Sequence, residues 1–142
     1  MDQSRIDALL RFYQTLTPES VSGFGAFYSE NTYFKDPFNE VRHLADIQAI
    51  FTRMFRQVAE PRFEILEQVG DQAGMFLVWN LRFRLRSWKP RQEQCIHGVS
   101  HLRFDADGKV CYHRDYWDTG EELYEKLPLL GLGARLLRRI AG

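Results

Sequence analysis

Apolar residues recur at helical spacing along the chain as far as Pro61. Ser4, with Asp7 three residues later, predicts the start of a first helix, and Thr17 followed by Pro18 predicts the start of a second. The apolar stripe of the first helix consists of Ile6, Leu9, Leu10, Tyr13 and Leu16. A third, amphipathic helix is predicted by Leu44, Ile47, Ile50, Phe51, Met54, Phe55 and Val58.

After Pro61 the apolar positions alternate instead, which is typical of strands. Four strands are predicted, around Phe63 and Ile65 and over 75–85, 95–104 and 109–117, and the turn at 105–108 predicts a hairpin between the last two. A short strand over 33–38, ended by its proline, precedes the third helix. Thr119 with Glu122 predicts a closing helix that is interrupted at Pro128 and resumes through Arg139.

This order of elements predicts one α+β domain over residues 1–142. Consecutive strands with short connections pair antiparallel, and the apolar face of such a sheet needs a cover. The N-terminal helices are the available cover. We therefore expect a cone-shaped, curved antiparallel or mixed sheet packed against these helices as an α+β barrel, with a C-terminal helix.

The composition is that of a globular chain without a charge bias. The 142 residues are 44% hydrophobic and 14% aromatic, and 19 Lys and Arg balance 19 Asp and Glu. A nucleic-acid partner is not expected, because proteins that bind nucleic acid carry an excess of basic residues on one face. One local basic run is interpreted as a solvated or dimer-facing strand surface; it consists of Arg82, Arg84, Arg86, Lys89 and Arg91.

Neither a membrane segment nor a signal peptide is expected. The longest apolar run, 75–79, is far shorter than the ~20 residues that span a bilayer. Cys95 and Cys111 are too few for a disulfide framework and are not spaced as a metal site. These observations favour a soluble protein of the cytoplasm.

Three segments, 34–38, 100–104 and 107–110, together with the order of elements, resemble the nuclear transport factor 2-like superfamily. Its members include ketosteroid isomerases, SnoaL-like polyketide cyclases and limonene epoxide hydrolases. The resemblance covers nearly the whole chain and implies the cone fold, but this fold hosts unrelated activities.

The resemblance to ketosteroid isomerase implies that Asp36 stands in the place of the general base. The place of the oxyanion-hole tyrosine holds Phe12, with Tyr13 turned about 100° away around the helix, and the place of the protonated aspartate holds Ser100. Losing each such donor costs roughly 3–4 kcal/mol of transition-state stabilisation. Steroid isomerisation itself is therefore not expected.

Strand alternation predicts which residues face the interior. His113, Asp115 and Trp117 share one face of the last strand. A two-residue turn would place Ser100 opposite Asp115, whereas a three-residue turn with a bulge would reverse the phase of the last strand. The family resemblance favours His113, Asp115 and Trp117 inside.

The predicted catalytic residues are Asp36, with His113 and Asp115 as a coupled second pair. Two carboxyl groups and an imidazole in one apolar pocket can have their pKa values pushed apart. The predicted ligand-binding residues are Phe12, Tyr13, Phe34, Phe51, Phe55, Trp79, Leu81, Ser100 and Trp117. The structural alternatives are that Asp36 caps the backbone before Pro37 and that His113 and Asp115 form a structural hydrogen bond.

The leading functional hypothesis is a protein that binds a hydrophobic small molecule and carries out cofactor-free proton transfer through Asp36, without a metal. One alternative is a non-catalytic ligand-binding or dimerisation module. Another is an epoxide hydrolase similar to limonene epoxide hydrolase, whose reaction needs an Asp-Arg-Asp array that activates water. Arg82 and Arg114 lie on the outer phase of their strands, which counts against this second alternative. A homodimer through the sheet face is expected. The basic, amphipathic tail 127–140 is expected to dock over the cavity mouth or on the other subunit.

Overall fold

The computed structural model describes residues 2–71, 73–87 and 89–124. Helices and strands alternate early in the chain, and strands follow one another later. In chain order they are α1 (Gln3–Gln14), a 3-10 helix (Ser20–Ala26), β1 (Tyr28–Lys35), β2 (Glu40–Val41), α2 (Leu44–Gln57), β3 (Val58–Gly70), β4 (Gly74–Leu85), β5 (Glu93–Phe104), β6 (Val110–Tyr116) and a π-helical segment (Gly120–Tyr124).

The six strands form one curved sheet in the order β2-β1-β6-β5-β4-β3. β1 runs parallel to β6, and the other neighbouring pairs are antiparallel. β2 and β3 form the two edges, so the sheet is not closed into a barrel. The predicted α+β fold with a curved, mixed sheet is confirmed, whereas closure into a barrel is not observed.

Both α-helices cover one face of the sheet, here called the inner face. The alternation predicted for β4 and β5 is present, since Leu77 and Leu102 are buried while Phe76 on the opposite phase is 45% exposed. From the helical side, Leu9 and Ile47 complete the same core. Apolar burial of this kind is the main force that holds the helices against the sheet.

Three local predictions about the first half of the chain differ from the structure. The segment after Pro18 forms only the short 3-10 helix, and β1 begins at Tyr28, five residues before the predicted strand. β3 begins at Val58 and runs through Pro61. The proline is tolerated there because β3 is an edge strand with an irregularity between Ala59 and Arg62.

The helix caps differ from the predicted ones by one or two residues. Asp2, not Ser4, caps α1, because its Oδ1 accepts a hydrogen bond from the backbone N–H of Arg5 at 3.0 Å. Asp118, not Thr119, accepts from the N–H groups that open the π-helical segment. The remainder of the predicted closing helix, and the tail expected to dock on the cavity or a second subunit, lie outside the described residues.

The β5–β6 hairpin places Ser100 opposite Asp115 and Leu102 opposite His113, as the two-residue turn predicted. The turn itself is longer, however, because the backbone N–H of Asp105 donates to the carbonyl of Lys109 at 2.8 Å. A register shift next to Arg103 then restores the predicted phase of β6. The expectation that a longer turn with a bulge would reverse the last strand is therefore wrong.

Two arginines of the basic run, Arg82 and Arg84, lie on β4 and pair with glutamates. Arg82 lies 3.6 Å from Glu64, and Arg84 pairs with Glu60. Arg86 donates instead to backbone carbonyl groups at the end of α2 and the start of β3. None of the described helices is long and apolar enough to cross a membrane.

Candidate active site

An apolar cavity with a volume of about 90 Å³ lies between α2 and the inner face of the sheet. Among the predicted ligand-binding residues, those that line it are Phe34, Phe51, Trp79, Leu81 and Trp117. Its polar lining consists of Asp36, Gln57 and Asp115. Two of the predicted catalytic residues therefore meet in a space that is otherwise hydrophobic.

The cavity continues into an open groove of about 440 Å³ that also borders Asp36, Asp115 and Trp117. Lys35 and Arg114 add positive charge to the groove wall. An apolar cavity of about 150 Å³ can hold benzene, so the closed part of this site accommodates only a smaller group. A larger ligand must extend past the two carboxyl groups into the groove.

Asp36 follows the last residue of β1 and is held in a tight turn. Its Oδ1 accepts hydrogen bonds from the backbone N–H of Phe38 at 2.8 Å and of Asn39 at 2.6 Å. Its Oδ2 accepts, from the part of the chain that the structure describes, only the Asn39 side-chain N–H, at 3.1 Å. The turn thus occupies one carboxyl oxygen, as the structural alternative predicted, and leaves the second oxygen with a single weak partner at the cavity wall.

The surroundings of Asp36 favour the protonated carboxyl. Burial raises the pKa of Asp36 above its usual value of 3.8, and the charge of Asp115 raises it further. The hydrogen bonds from Phe38 and Asn39 oppose this rise in pKa without cancelling it. Asp36 can consequently exchange a proton closer to neutral pH than an exposed aspartate can.

We expect this raised pKa to make the stability of the protein depend on Asp36 in a predictable direction. A group with a raised folded-state pKa stabilises the fold fully below its usual value, here 3.8, and this contribution is lost as pH rises through the folded value. As the pH rises from 3.8 through the folded-state pKa of Asp36, wild type should therefore lose stability relative to Asp36→Asn. Denaturant unfolding at a series of pH values measures the difference, and a constant difference would contradict the prediction.

Behind the cavity, His113 and Asp115 form a close pair on β6. The His113 Nε2 lies 2.6 Å from the Asp115 Oδ1, and the Ser100 hydroxyl donates to the same oxygen at 2.5 Å. The Trp79 indole N–H in turn donates to the Ser100 Oγ at 2.8 Å. Hydrogen bonds therefore converge on Asp115 Oδ1, while its Oδ2 has no hydrogen-bond partner among the described residues.

Two tyrosines extend this network away from the cavity. The Tyr28 hydroxyl lies 2.7 Å from His113 Nδ1 and 2.5 Å from the Tyr13 hydroxyl. Burial raises the pKa of both phenols, which keeps them protonated at neutral pH. We call the whole set the buried polar chain; its members are Tyr13, Tyr28, His113, Asp115, Ser100 and Trp79.

Sequence reasoning did not identify Tyr28, and it included Tyr13 among the ligand-binding residues although the family alignment put Phe12 in the place of the oxyanion-hole tyrosine. Ile6, Leu9 and Tyr13 recur at intervals of three and four, so they share the buried face of α1. Phe12 lies on the neighbouring face, where its ring packs against Phe24 at 5.0 Å and does not line the cavity. Tyr13 therefore carries the hydroxyl group of α1 into the interior.

The remaining predicted residues fall into two groups. Tyr13, Ser100 and His113 border a smaller void of about 20 Å³ next to the cavity, together with Asp115. Phe55 packs at the edge of the core without lining the cavity. The three predicted catalytic residues and most of the predicted ligand-binding residues are thus brought to one side of the sheet.

The outer phase of β5 carries the other strand histidines. His97 Nδ1 lies 2.9 Å from the Asn80 Oδ1, and the His101 ring stacks on Phe76 with 4.5 Å between centroids. No group of three or more His, Cys, Asp or Glu residues with metal-binding geometry occurs within 2–71, 73–87 and 89–124.

The family of the chain follows from comparison with known proteins. A model of the SnoaL-like domain matches residues 9–113. The chain belongs to the SnoaL-like domain family. This match confirms the predicted membership of the nuclear transport factor 2-like superfamily. No curated protein matches the sequence.

Solved structures show the same fold as this SnoaL-like domain. TsrD from Streptomyces laurentii is 14% identical, with a TM-score of 0.75 and coverage of 92% of this chain and 99% of that chain. An LEH-like epoxide hydrolase from M. tuberculosis is 19% identical, with a TM-score of 0.69 and coverage of 97% and 94%. A hypothetical protein from Catenulispora acidiphila with a ketosteroid isomerase-like fold, solved in complex with trimethylamine, is 10% identical, with a TM-score of 0.70 and coverage of 87% and 92%.

Proposed function

We propose that this SnoaL-like domain binds a hydrophobic small molecule and catalyses proton transfer on it with its own carboxyl groups, as isomerases and cyclases do. The observation that carries the proposal is the position of Asp36, a carboxyl group with a raised pKa, beside Asp115 on the wall of an apolar cavity. Titratable groups perturbed by burial and by a specific charge are characteristic of functional sites.

In the proposed reaction, the ionised Asp36 removes a proton from the carbon next to a ligand carbonyl group. The C–H bond breaks, an O–H bond forms on the Asp36 carboxyl, and the electron pair of the C–H bond delocalises into the carbonyl to give an enolate. With a β,γ-unsaturated ketone the enolate is conjugated, so return of the proton from Asp36 to the γ-carbon moves the double bond and yields an isomer. With a second carbonyl group in the ligand, attack of the enolate carbon breaks the C=O π bond and closes a ring, and the resulting alkoxide takes the proton from the Asp36 carboxyl. Asp115, whose Oδ1 is bound to Ser100 and His113, borders both the cavity and the groove.

Hydrogen–deuterium exchange of cyclic ketones tests this proposal without knowledge of the natural substrate. A panel from cyclohexanone to 1-tetralone would be incubated with the protein in D₂O, and loss of the α-proton signals would be followed by NMR. We expect the protein to accelerate exchange of at least one ketone above the buffer rate. Thermal shift with the same panel measures binding, because a ligand at a hundredfold excess over its Kd stabilises the fold by about 2.7 kcal/mol.

The principal alternative is a ligand-binding module without catalysis. It is favoured by the turn at Asp36, because Oδ1 already serves a structural purpose by accepting two backbone N–H groups. Ketones that stabilise the protein but show no accelerated exchange would support this alternative and contradict proton transfer.

Epoxide hydrolysis receives less support from the site than proton transfer does. The M. tuberculosis neighbour is an LEH-like epoxide hydrolase. The resemblance to limonene epoxide hydrolase implies an Asp-Arg-Asp array that activates water. Among the residues that the structure describes, no arginine lines the cavity. Arg82 pairs with Glu64 on the outer face, and Arg114 packs over the Tyr116 ring at 4.7 Å while bordering only the groove.

We also propose that the outer face of the sheet packs against a second copy of the chain. A row of rings crosses four adjacent strands there, formed by Tyr33, Phe76, His101 and Tyr112. Phe76 remains 45% exposed within this row. Light scattering after size-exclusion chromatography should report a dimer for wild type and a shift toward monomer for Phe76→Glu; a monomeric wild type would contradict the proposal.

A further inference from the structure

We infer that Tyr28 is a positioning residue that holds the His113 ring as its Nε2–H tautomer. The inference follows from pairing every proton of the buried polar chain with an acceptor. It uses hydrogen-bond geometry alone and does not depend on whether Asp36 transfers a proton.

Consider first the arrangement in which the proton of His113 is on Nε2. This N–H donates to the ionised Asp115 Oδ1 at 2.6 Å, and Nδ1 accepts the O–H of Tyr28 at 2.7 Å. The Tyr28 oxygen then accepts the O–H of Tyr13 at 2.5 Å. At the other end, the Trp79 N–H donates to Ser100, whose hydroxyl donates to Asp115. Every donor in the chain has an acceptor.

Now consider a proton on Nδ1, either in the other neutral tautomer or in the imidazolium cation. The Nδ1–H must donate to the Tyr28 oxygen, so the O–H of Tyr28 turns toward Tyr13 and the O–H of Tyr13 loses its acceptor. Tyr13 is 6% exposed and Tyr28 is 1% exposed, so bulk solvent does not replace the lost acceptor. Buried donors without acceptors are rare because they retain the full desolvation penalty.

The neutral Nδ1–H tautomer has a second defect. It would place the lone pair of Nε2 against the carboxylate oxygen of Asp115 at 2.6 Å, which is repulsive unless Asp115 is protonated. Both ends of the imidazole therefore favour the Nε2–H form, and we expect it in roughly tenfold excess or more.

The His113 tautomer held by Tyr28 affects the charge next to Asp36 in the cavity. With His113 neutral and donating, Asp115 Oδ1 receives hydrogen bonds from both His113 and Ser100, so its charge stays in the pocket next to Asp36. That charge contributes to the raised pKa of Asp36. Tyr28 thus acts on the cavity through two other residues without lining it.

The tautomer can be read directly from long-range ¹H–¹⁵N correlation spectra of protein labelled with ¹⁵N-histidine. A protonated ring nitrogen and an unprotonated one resonate at well-separated frequencies. The chain has four histidines, and the spectrum of His113→Asn identifies the His113 signals by their loss. We expect wild type at neutral pH to show a proton on Nε2 and none on Nδ1.

Two variants that each remove one buried hydroxyl group separate positioning from a general packing effect. Tyr28→Phe deletes the donor to Nδ1 and should reduce the excess of the Nε2–H form. Tyr13→Phe leaves Tyr28 free to donate to Nδ1 and should preserve the wild-type tautomer. Tyr112→Phe, in the row of rings on the outer face, serves as a control that should leave the His113 signals unchanged.

A proton on Nδ1 in wild type, or unchanged signals in folded Tyr28→Phe, would overturn the inference. If Tyr28→Phe does not fold, the wild-type and Tyr13→Phe spectra still decide, because the Nε2–H form is expected in both. Wild type that shows this tautomer but no ketone exchange would contradict the proposed function and leave the inference standing. Accelerated ketone exchange by a wild type that carries the proton on Nδ1 would support the proposed function and overturn the inference.

Discussion

Replacing Asp36 with Asn should lower the rate of ketone α-exchange at least about 100-fold, which is the lower range expected for loss of a general base. The Asn side chain cannot take up the proton. Its Oδ1 can still accept the hydrogen bonds from Phe38 and Asn39, so the turn after β1 should survive. NMR exchange rates, measured together with thermal unfolding, separate the loss of activity from a loss of folding.

Asp105 offers a matched control for this substitution. Its Oδ1 accepts from the backbone N–H groups of Asp107 at 2.9 Å and Lys109 at 3.0 Å, so it also holds a turn, but it borders neither the cavity nor the groove. Asp105→Asn should therefore retain the wild-type exchange rate. Equal activity in wild type and Asp36→Asn would show that Asp36 is not the base.

The inner face of the sheet could be predicted from the sequence because alternation is a local property of each strand. Trp79, Ser100 and Asp115 were all assigned to one face, and the structure joins them by hydrogen bonds. Antiparallel pairing across short connections then fixes which residues lie opposite one another, as with Ser100 and Asp115. These predictions need no information about distant parts of the chain.

The length of the β5–β6 turn, and with it the phase of β6, could not be predicted in this way. A longer turn reverses the phase of β6 relative to β5, and one extra residue in a bulge reverses it again. The hairpin uses both, so Val110 is fully buried while His113 still faces the interior. Local sequence indicates that a turn occurs, but it does not indicate the extra residue in the turn or the extra residue in the bulge that compensates for it.

Tyr28 could not be predicted as a strand residue because β1 forms by pairing with β6, which lies far away in the sequence. The segment 29–32 is polar and lacks an alternating apolar pattern, so nothing in it predicts a strand. The backbone of Tyr28 instead pairs with Val110 on β6, and the Thr32 hydroxyl donates to the Val110 carbonyl at 2.8 Å. Parallel pairing between residues this far apart in the chain leaves little local trace.

Helix phase explains why Tyr13, and not Phe12, faces the interior. An aligned position in a family motif fixes a residue only to within one place, and one place on a helix is a rotation of about 100°. The apolar spacing of Ile6, Leu9 and Tyr13 carried the correct phase. That spacing predicted Tyr13 on the buried stripe, whereas the alignment put Phe12 in the place of the oxyanion-hole tyrosine.

Replacing Gly98 with Ala should lower the free energy of unfolding by about 1–3 kcal/mol, the range expected for overpacking in a core. Gly98 lies opposite Trp79 on the neighbouring strand, and the indole ring covers it. A Cβ atom at Gly98 would lie 2.5 Å from Trp79 Cη2 and 2.7 Å from Cζ2. The ring cannot move away freely, because its N–H is bound to Ser100 at 2.8 Å and the ring forms part of the cavity wall.

Gly23→Ala is the matched control, since a Cβ atom there would lie 3.5 Å from Phe12 Cε1, an ordinary contact distance. Its stability should stay within about 0.5 kcal/mol of wild type. Denaturant unfolding measures both variants, and tryptophan fluorescence reports whether the indole has moved in Gly98→Ala. Because Trp79 is joined through Ser100 to Asp115, a displaced ring should also weaken ketone binding. A Gly98→Ala protein as stable as Gly23→Ala would mean that the Trp79 ring does not lie against this strand.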